Sequence, residues 1–86
     1  MLTEAQIAGQ LHAYYCRSYP HLGRLLEHDT DLLNDWFVDS FGVIQTVQFV
    51  EDTFGVAVDR ADIRADNFHS VRSLAAFVRR KLGERA

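Results

Sequence analysis

The sequence predicts an all-α protein: a small bundle of three main helices and one short helix, with a long first connection. Three observations lead there. Apolar residues recur at helical spacing in three separate segments of the chain. Five glycines and one proline leave little material for the many turns of an all-β protein. The stretch that alternates like a strand, "GVAVD", is too short to need a sheet. With 86 residues, 48% of them hydrophobic and 24% charged, residues 1–86 read as one small folded domain. Such a chain buries about 60–65% of the surface it exposes when unfolded, so its core must be simple.

The first helix is expected to start near Thr3. Thr3 and Gln6 have the spacing of a capping box, and Ile7, Leu11, Tyr14 and Tyr15 follow at helical intervals. The pattern fades at "RSYPHLG", where Pro20 and Gly23 interrupt it. "RLLEHDTDLL" reads as either a short helical turn or a packed loop, held down by Leu25, Leu26, Leu32 and Leu33.

A second helix is predicted from Ser40 to Phe54, stopped by Gly55. At 100° per residue, Val43, Val47, Val50 and Phe54 form its core stripe, with Thr46 at the edge. Phe41, Ile44, Gln45, Gln48, Glu51 and Asp52 fall on the outer face, where two large apolar residues beside Ser40 suggest a contact surface. A short third helix is expected around Ala61–Arg64, anchored by Ile63 and Phe68. The last helix follows Ser70 as N-cap and carries Val71, Leu74, Phe77, Val78 and Leu82 on one stripe.

Several function classes fall away on composition. A single cysteine, Cys16, forbids an internal disulfide, and neither a signal peptide nor an apolar run of membrane-crossing length is visible. The expectation is a soluble cytoplasmic protein that acts as a monomer, away from membranes. The net charge of −3 is divided: residues 1–59 hold nine acids and two bases, residues 60–86 seven bases and three acids. A partner docking on the acidic part would present basic groups. The basic tail, with Arg79, Arg80, Lys81 and Arg85, lacks the interleaved aromatics of a nucleic-acid surface. Cations at the end of a helix are favoured by its dipole, so no nucleic-acid partner is expected.

Chemical constellations are few. His12 and Cys16 lie four apart on one helical face, but a structural zinc site needs four ligands and no second cysteine exists. His21, His28 and His69 show no ligand spacing, so no metal is expected. A hydrolase drawn from Ser40, a histidine and an aspartate lacks both the Gly-x-Ser-x-Gly elbow and a glycine-built oxyanion loop. No phosphate-cradling glycine loop is present either. An enzyme is not expected.

Ser40 remains, in "DWFVDSFGVIQ". A serine at a helix start is commonly a cap. Its context, "DLLNDWFV" before it, a two-faced helix after it and "NFHSVRSLAAFV" to close, adds a second meaning. Through "DSFGVIQTVQFVEDTFGVAV", Asp31 to Val58, and again through "FHSVRSLAAFVRRKL", the chain resembles the acyl carrier and peptidyl carrier protein family. The resemblance implies a four-helix bundle of the acyl-carrier type. It implies that Ser40 is esterified to 4′-phosphopantetheine, derived from coenzyme A, with Asp39 as its motif partner. The arm's thiol would carry an acyl or aminoacyl group as a thioester. Implied partners are a phosphopantetheinyl transferase, an acyl- or aminoacyl-activating enzyme or acyltransferase, and a downstream synthase or transferase. Phe41, Ile44, Gln45, Gln48, Glu51 and Asp52 would face them.

Two departures sharpen this. Phe41 stands where the family usually has Leu or Met, and Phe37 replaces the usual glycine two before Asp39. Gly42, Gln45 and Gln48 occupy outer positions that fatty-acid carriers fill with acids. Both suggest a discrete stand-alone carrier of a natural-product pathway, of polyketide or nonribosomal peptide type, recognised largely by apolar contact. The alternative from another class is a helical protein-interaction module in which Ser40 is only a helix cap. Ala57, Ala75 and Ala76 near the helix junctions would leave a slot for cargo or be tight packing points.

Overall fold

Helix α1, Glu4–Ser18, opens on the expected box: Gln6 N–H donates to Thr3 Oγ1 at 3.1 Å and Thr3 N–H to Gln6 Oε1 at 2.8 Å. The computed structural model describes residues 2–20, 25–34 and 39–85. The expectations attached to His21, Gly23 and Phe37 lie outside them. Three further helices follow: α2 at Ser40–Phe54, the short α3 at Ala65–Phe68 and α4 at Val71–Arg85. There is no strand among the described residues, and "GVAVD" is an extended link with Val56 buried. No helix of the described residues is long and apolar enough to cross a membrane.

Helix α1 packs along α4, and α3 and one stretch of α2 also lean on α4. Ile7, Leu11 and Tyr15 meet Val71, Leu74, Phe77 and Val78 in the core, with Val50 and Phe54 supplied by α2. Full burial of side chains such as Leu11 and Leu74 is worth roughly 1.5–3 kcal/mol each. That burial makes α4 the spine of the bundle.

Among the described residues, 26–34 of the first connection form a packed loop. Thr30 and Asp31 each close a local turn, the latter by accepting Leu33 and Asn34 N–H on Oδ1, both at 3.1 Å. The loop is stitched to the start of α4 by Leu32 N–H to His69 O at 2.7 Å and Arg72 N–H to His28 O at 2.9 Å. Asp29 receives both Nε and Nη2 of Arg72. Leu26 and Leu32 are buried and Leu33 packs against the core, but Leu25 is 72% exposed and holds nothing down. Only one of the adjacent pair faces inward, and that place goes to Leu26, whose carbonyl lies 2.9 Å from His12 Nε2.

Two other expectations shift. The turn before α3 is a 3-10 helix at Arg60–Asp62, with Asp59 N–H bonded to Asp62 Oδ2 at 2.9 Å. Arg64 is extended, so the α-helical part begins only at Ala65. Phe68 anchors this segment as expected; Ile63 is 44% exposed and does not. In α2 the buried stripe is Gly42, Thr46, Val50 and Phe54, with Val43 and Val47 half-buried. Gly42 therefore turns inward from the outer face assigned to it, and Thr46 moves from edge to centre because its hydroxyl is satisfied there.

The helix ends follow local chemistry. Gly55 ends α2 in the left-handed region at φ 69°, its N–H donating to Glu51 O at 3.0 Å. Ser70 Oγ accepts Ser73 N–H at 3.1 Å, as an N-cap for α4 should. In the basic tail, Lys81 Nζ lies 2.7 Å from Asp62 and 3.6 Å from Asp59, and Arg80 donates to Asn67 Oδ1 at 3.1 Å. Lys81 thus ties α4 to the segment before α3, and Arg80 ties it to α3 itself.

Candidate attachment site at the start of helix α2

Asp39 is the N-cap of α2. Its backbone is extended (φ −84°, ψ −174°), and its Oδ1 accepts the N–H of Gly42 at 2.9 Å. Its carbonyl accepts the first ladder bond, from Val43, also at 2.9 Å. Ser40 is therefore the first helical residue, not the cap, and its side chain is exposed. Ser40 makes no side-chain hydrogen bond among the described residues, so the reading of Ser40 as a helix cap is corrected: an aspartate caps a helix as well as a serine does, and here it precedes the serine.

Behind this turn lies a buried polar chain. Thr46 Oγ1 donates to Gly42 O at 3.0 Å, and Tyr15 Oη, on α1, lies 2.7 Å from the same Thr46 oxygen. With the threonine proton committed to the carbonyl, the tyrosine is the donor. Burial pushes the Tyr15 phenol well above its ordinary value, with the Thr46 bond working the other way.

In front of Ser40 opens a cavity of about 330 Å³. Ser40, Val43 and Ile44 of α2, Leu33 of the first connection, and Ile63, Arg64, Ala65 and Phe68 line it. Ala57, Ala75 and Ala76 take no part in it; Ala75 is buried in the core and Ala57 is exposed. Leu33, Ile63, Arg64, Ala65 and Phe68 were not legible as site residues, because the cavity arises where three sequence-distant segments meet. In the sequence Ile63 reads as an anchor of the short helix, so nothing there marks it as a lining residue.

Of the outer strip on α2, Phe41 is 66% and Ile44 59% exposed, and Gln45, Gln48 and Asp52 are exposed beside them. Glu51 differs. It is half-buried, and its Oε2 accepts Val58 N–H at 3.0 Å, which fastens the link after α2. His12 and Cys16 do share a face, with Cys16 Sγ 3.6 Å from His12 Nδ1. His12 Nε2 is turned to Leu26 O, so in the neutral ring Nδ1 is left as the acceptor for the thiol. No group of three or more His, Cys, Asp or Glu among the described residues could hold a metal ion.

An exposed helix-start hydroxyl, a capped first turn and an adjoining apolar cavity present Ser40 for modification. The family described as "phosphopantetheine attachment site" matches residues 22–78. That is well over half of the chain, and the chain belongs to this family. No curated protein and no solved structure matches it. The domain is thus an attachment site for 4′-phosphopantetheine, and domains of this family are in general carriers rather than catalysts. The residues fit the group. A phosphodiester on Ser40 would lie at the positive end of α2, beside the N–H groups that precede the helix ladder, and the cavity would receive part of the arm.

Proposed function

We propose that Ser40 carries the phosphopantetheine and that the chain is a single carrier domain over residues 1–86. The observation that carries this reading is the division of labour at the start of α2: Asp39 caps the helix, which leaves Ser40 exposed at the mouth of the cavity. When bound, the group supplies a thiol on a flexible arm, to which cargo is held as a thioester. The protein's own residues present that arm: Asp39 and Gly42 hold the turn, and Phe41 and Ile44 offer an apolar docking strip. Tethering raises the local concentration of cargo at each partner's active site without new contacts.

The partners in this reading are a phosphopantetheinyl transferase using coenzyme A, an acyl- or aminoacyl-activating enzyme or acyltransferase, and a downstream synthase or transferase. The half-apolar outer face of α2, poor in free carboxylates, supports a carrier of a polyketide or nonribosomal peptide type pathway; a monomer in the cytoplasm completes the proposal. Gln45 and Gln48 leave the middle of that face uncharged, and Asp52 stands further along it. A partner would therefore read shape and apolar area more than dense negative charge.

Intact-protein mass after incubation with coenzyme A and a broad-specificity transferase tests this, with Ser40→Ala alongside. A gain of one phosphopantetheine in the parent and none in the variant is expected. No gain in a folded parent, with more than one transferase, would overturn the assignment of Ser40.

A further inference from the structure

We infer that the buried Tyr15–Thr46 hydroxyl pair is a positioning device for Ser40, holding the first turn of α2 in register with α1. The inference rests on Ser40 as the attachment residue. It concerns two residues that touch neither the arm nor a partner.

The polar chain stands in a core that is apolar apart from it and the capping residue Ser70. Tyr15 is 2% and Thr46 0% exposed, and burying a hydroxyl is unfavourable unless it is hydrogen-bonded. Phe and Val would fill the same space without that demand. The chain does not end at random: Tyr15 Oη donates to Thr46 Oγ1, and Thr46 Oγ1 donates to Gly42 O. Gly42 is the residue whose N–H Asp39 receives. Its backbone is thus held on the N–H side by the cap and on the carbonyl side by a side chain backed by another helix. Ser40 sits two residues earlier, in a turn that would otherwise be prone to the fraying of helix ends.

The pair is also the side-chain hydrogen bond between α1 and α2 among the described residues, and α1 packs mainly on α4. With the Tyr14–Phe49 ring stack, at 4.3 Å between centroids, holding the middle of α2 to α1, the pair sets where the start of α2 lies relative to the α1–α4 spine. Group transfer onto Ser40 requires its oxygen to be placed accurately against the transferase, and a 1 Å misplacement can cost about a hundredfold in rate. Docking is left to the exposed strip of Phe41 and Ile44, on the other face of the helix.

Tyr15→Phe and Thr46→Val test the pair, with Thr46→Ser as the conservative rescue. The rate of phosphopantetheine transfer from coenzyme A is followed as kcat and KM for the carrier, and amide exchange is followed in parallel. Expected is a fall in kcat of about threefold to tenfold with KM unchanged, below the hundredfold limit. Exchange at Gly42 and Val43, the first protected amides of α2, should rise by a similar factor while Leu74–Val78 keep their protection. Thr46→Ser should restore both. Should Thr46→Val fail to fold, Tyr15→Phe, which keeps the ring, carries the test. Parental kcat and parental exchange in the first turn of α2 would overturn the inference, as would a uniform rise across α2 and α4. If the parent itself is never modified, the assignment of Ser40 fails, and the exchange arm still decides whether the pair holds the turn.

Discussion

Asp39 Oδ1 accepts the N–H of Gly42 at 2.9 Å, and this bond spans Ser40 without using its hydroxyl. The capping duty therefore belongs to Asp39 and the proposed attachment duty to its neighbour Ser40, and each can be removed alone. Asp39→Ala should cost about 0.5–2 kcal/mol. For a domain of this size each kcal/mol lowers the melting midpoint by roughly 4–8 °C. Ser40→Ala should stay within about 0.5 kcal/mol of the parent. Melting curves followed by circular dichroism read both; a large loss in Ser40→Ala would return the capping role to Ser40.

Ile44 is 59% exposed and lines the cavity beside Ser40, so its truncation removes contact area and little core. Ile44→Ala should melt with the parent yet be loaded more slowly by its activating enzyme. Because the strip is apolar, the deficit should persist when ionic strength is raised, unlike a deficit at a charged docking site. Loading at the parental rate would remove Ile44 from the docking surface.

Lys81 holds the Asp62 carboxyl below the usual carboxylate range, and the two lie 2.7 Å apart with little of either side chain exposed. A folded value below the unfolded one means stability that is present above the unfolded value of about 3.9 and is lost as pH falls through the folded value. Asp62→Asn should thus melt earlier than the parent at neutral pH. The gap should close as the pH is taken below the carboxylate range, where the parent's Asp62 is also neutral. A gap that stays constant with pH would mean that shape, not charge, holds this link.

At the alkaline end the sign reverses. Burial raises Tyr15 above the ordinary phenol value of about 10, so the unfolded chain ionises first and stability falls as pH rises past that point. Phenolate absorbance should show a component that appears only as the far-ultraviolet signal collapses, and Tyr15→Phe should abolish it. If all three tyrosines titrate in the folded state, Tyr15 is more open to water than its 2% exposure implies.

Gly55 ends α2 at φ 69°, a conformation that costs a residue with a Cβ about 1 kcal/mol or more. Gly55→Ala should lower stability by that amount and Gly55→Asn by less, since Asn tolerates the left-handed region. Urea midpoints distinguish the two, and equal midpoints for Ala and Gly would remove the argument.

Much of this was legible because it is local. The box at Thr3 and Gln6, the stop at Gly55, the cap at Ser70 and the stripe of α4 depend on a residue and its neighbours within one turn, and all stand as read. What went astray depended on competition between neighbours. Asp39 and Ser40 are both good caps, and which one the backbone selects is settled by where the preceding chain turns. Leu25 and Leu26 are equally apolar, and packing has room for one.

The sequence by itself determined the number, order and approximate span of the main helices, and it brought Ser40 to the start of the second. Periodicity and capping are short-range, so they survive being read one segment at a time. Only the tertiary structure decided that Gly42 and Thr46 centre the buried stripe of α2, because Thr46 is acceptable inside only when Tyr15 from another helix satisfies its hydroxyl. Only it decided that Leu33, Val43, Ile63 and Phe68 converge on one cavity in front of Ser40, since a cavity is a relation among segments that no single segment encodes.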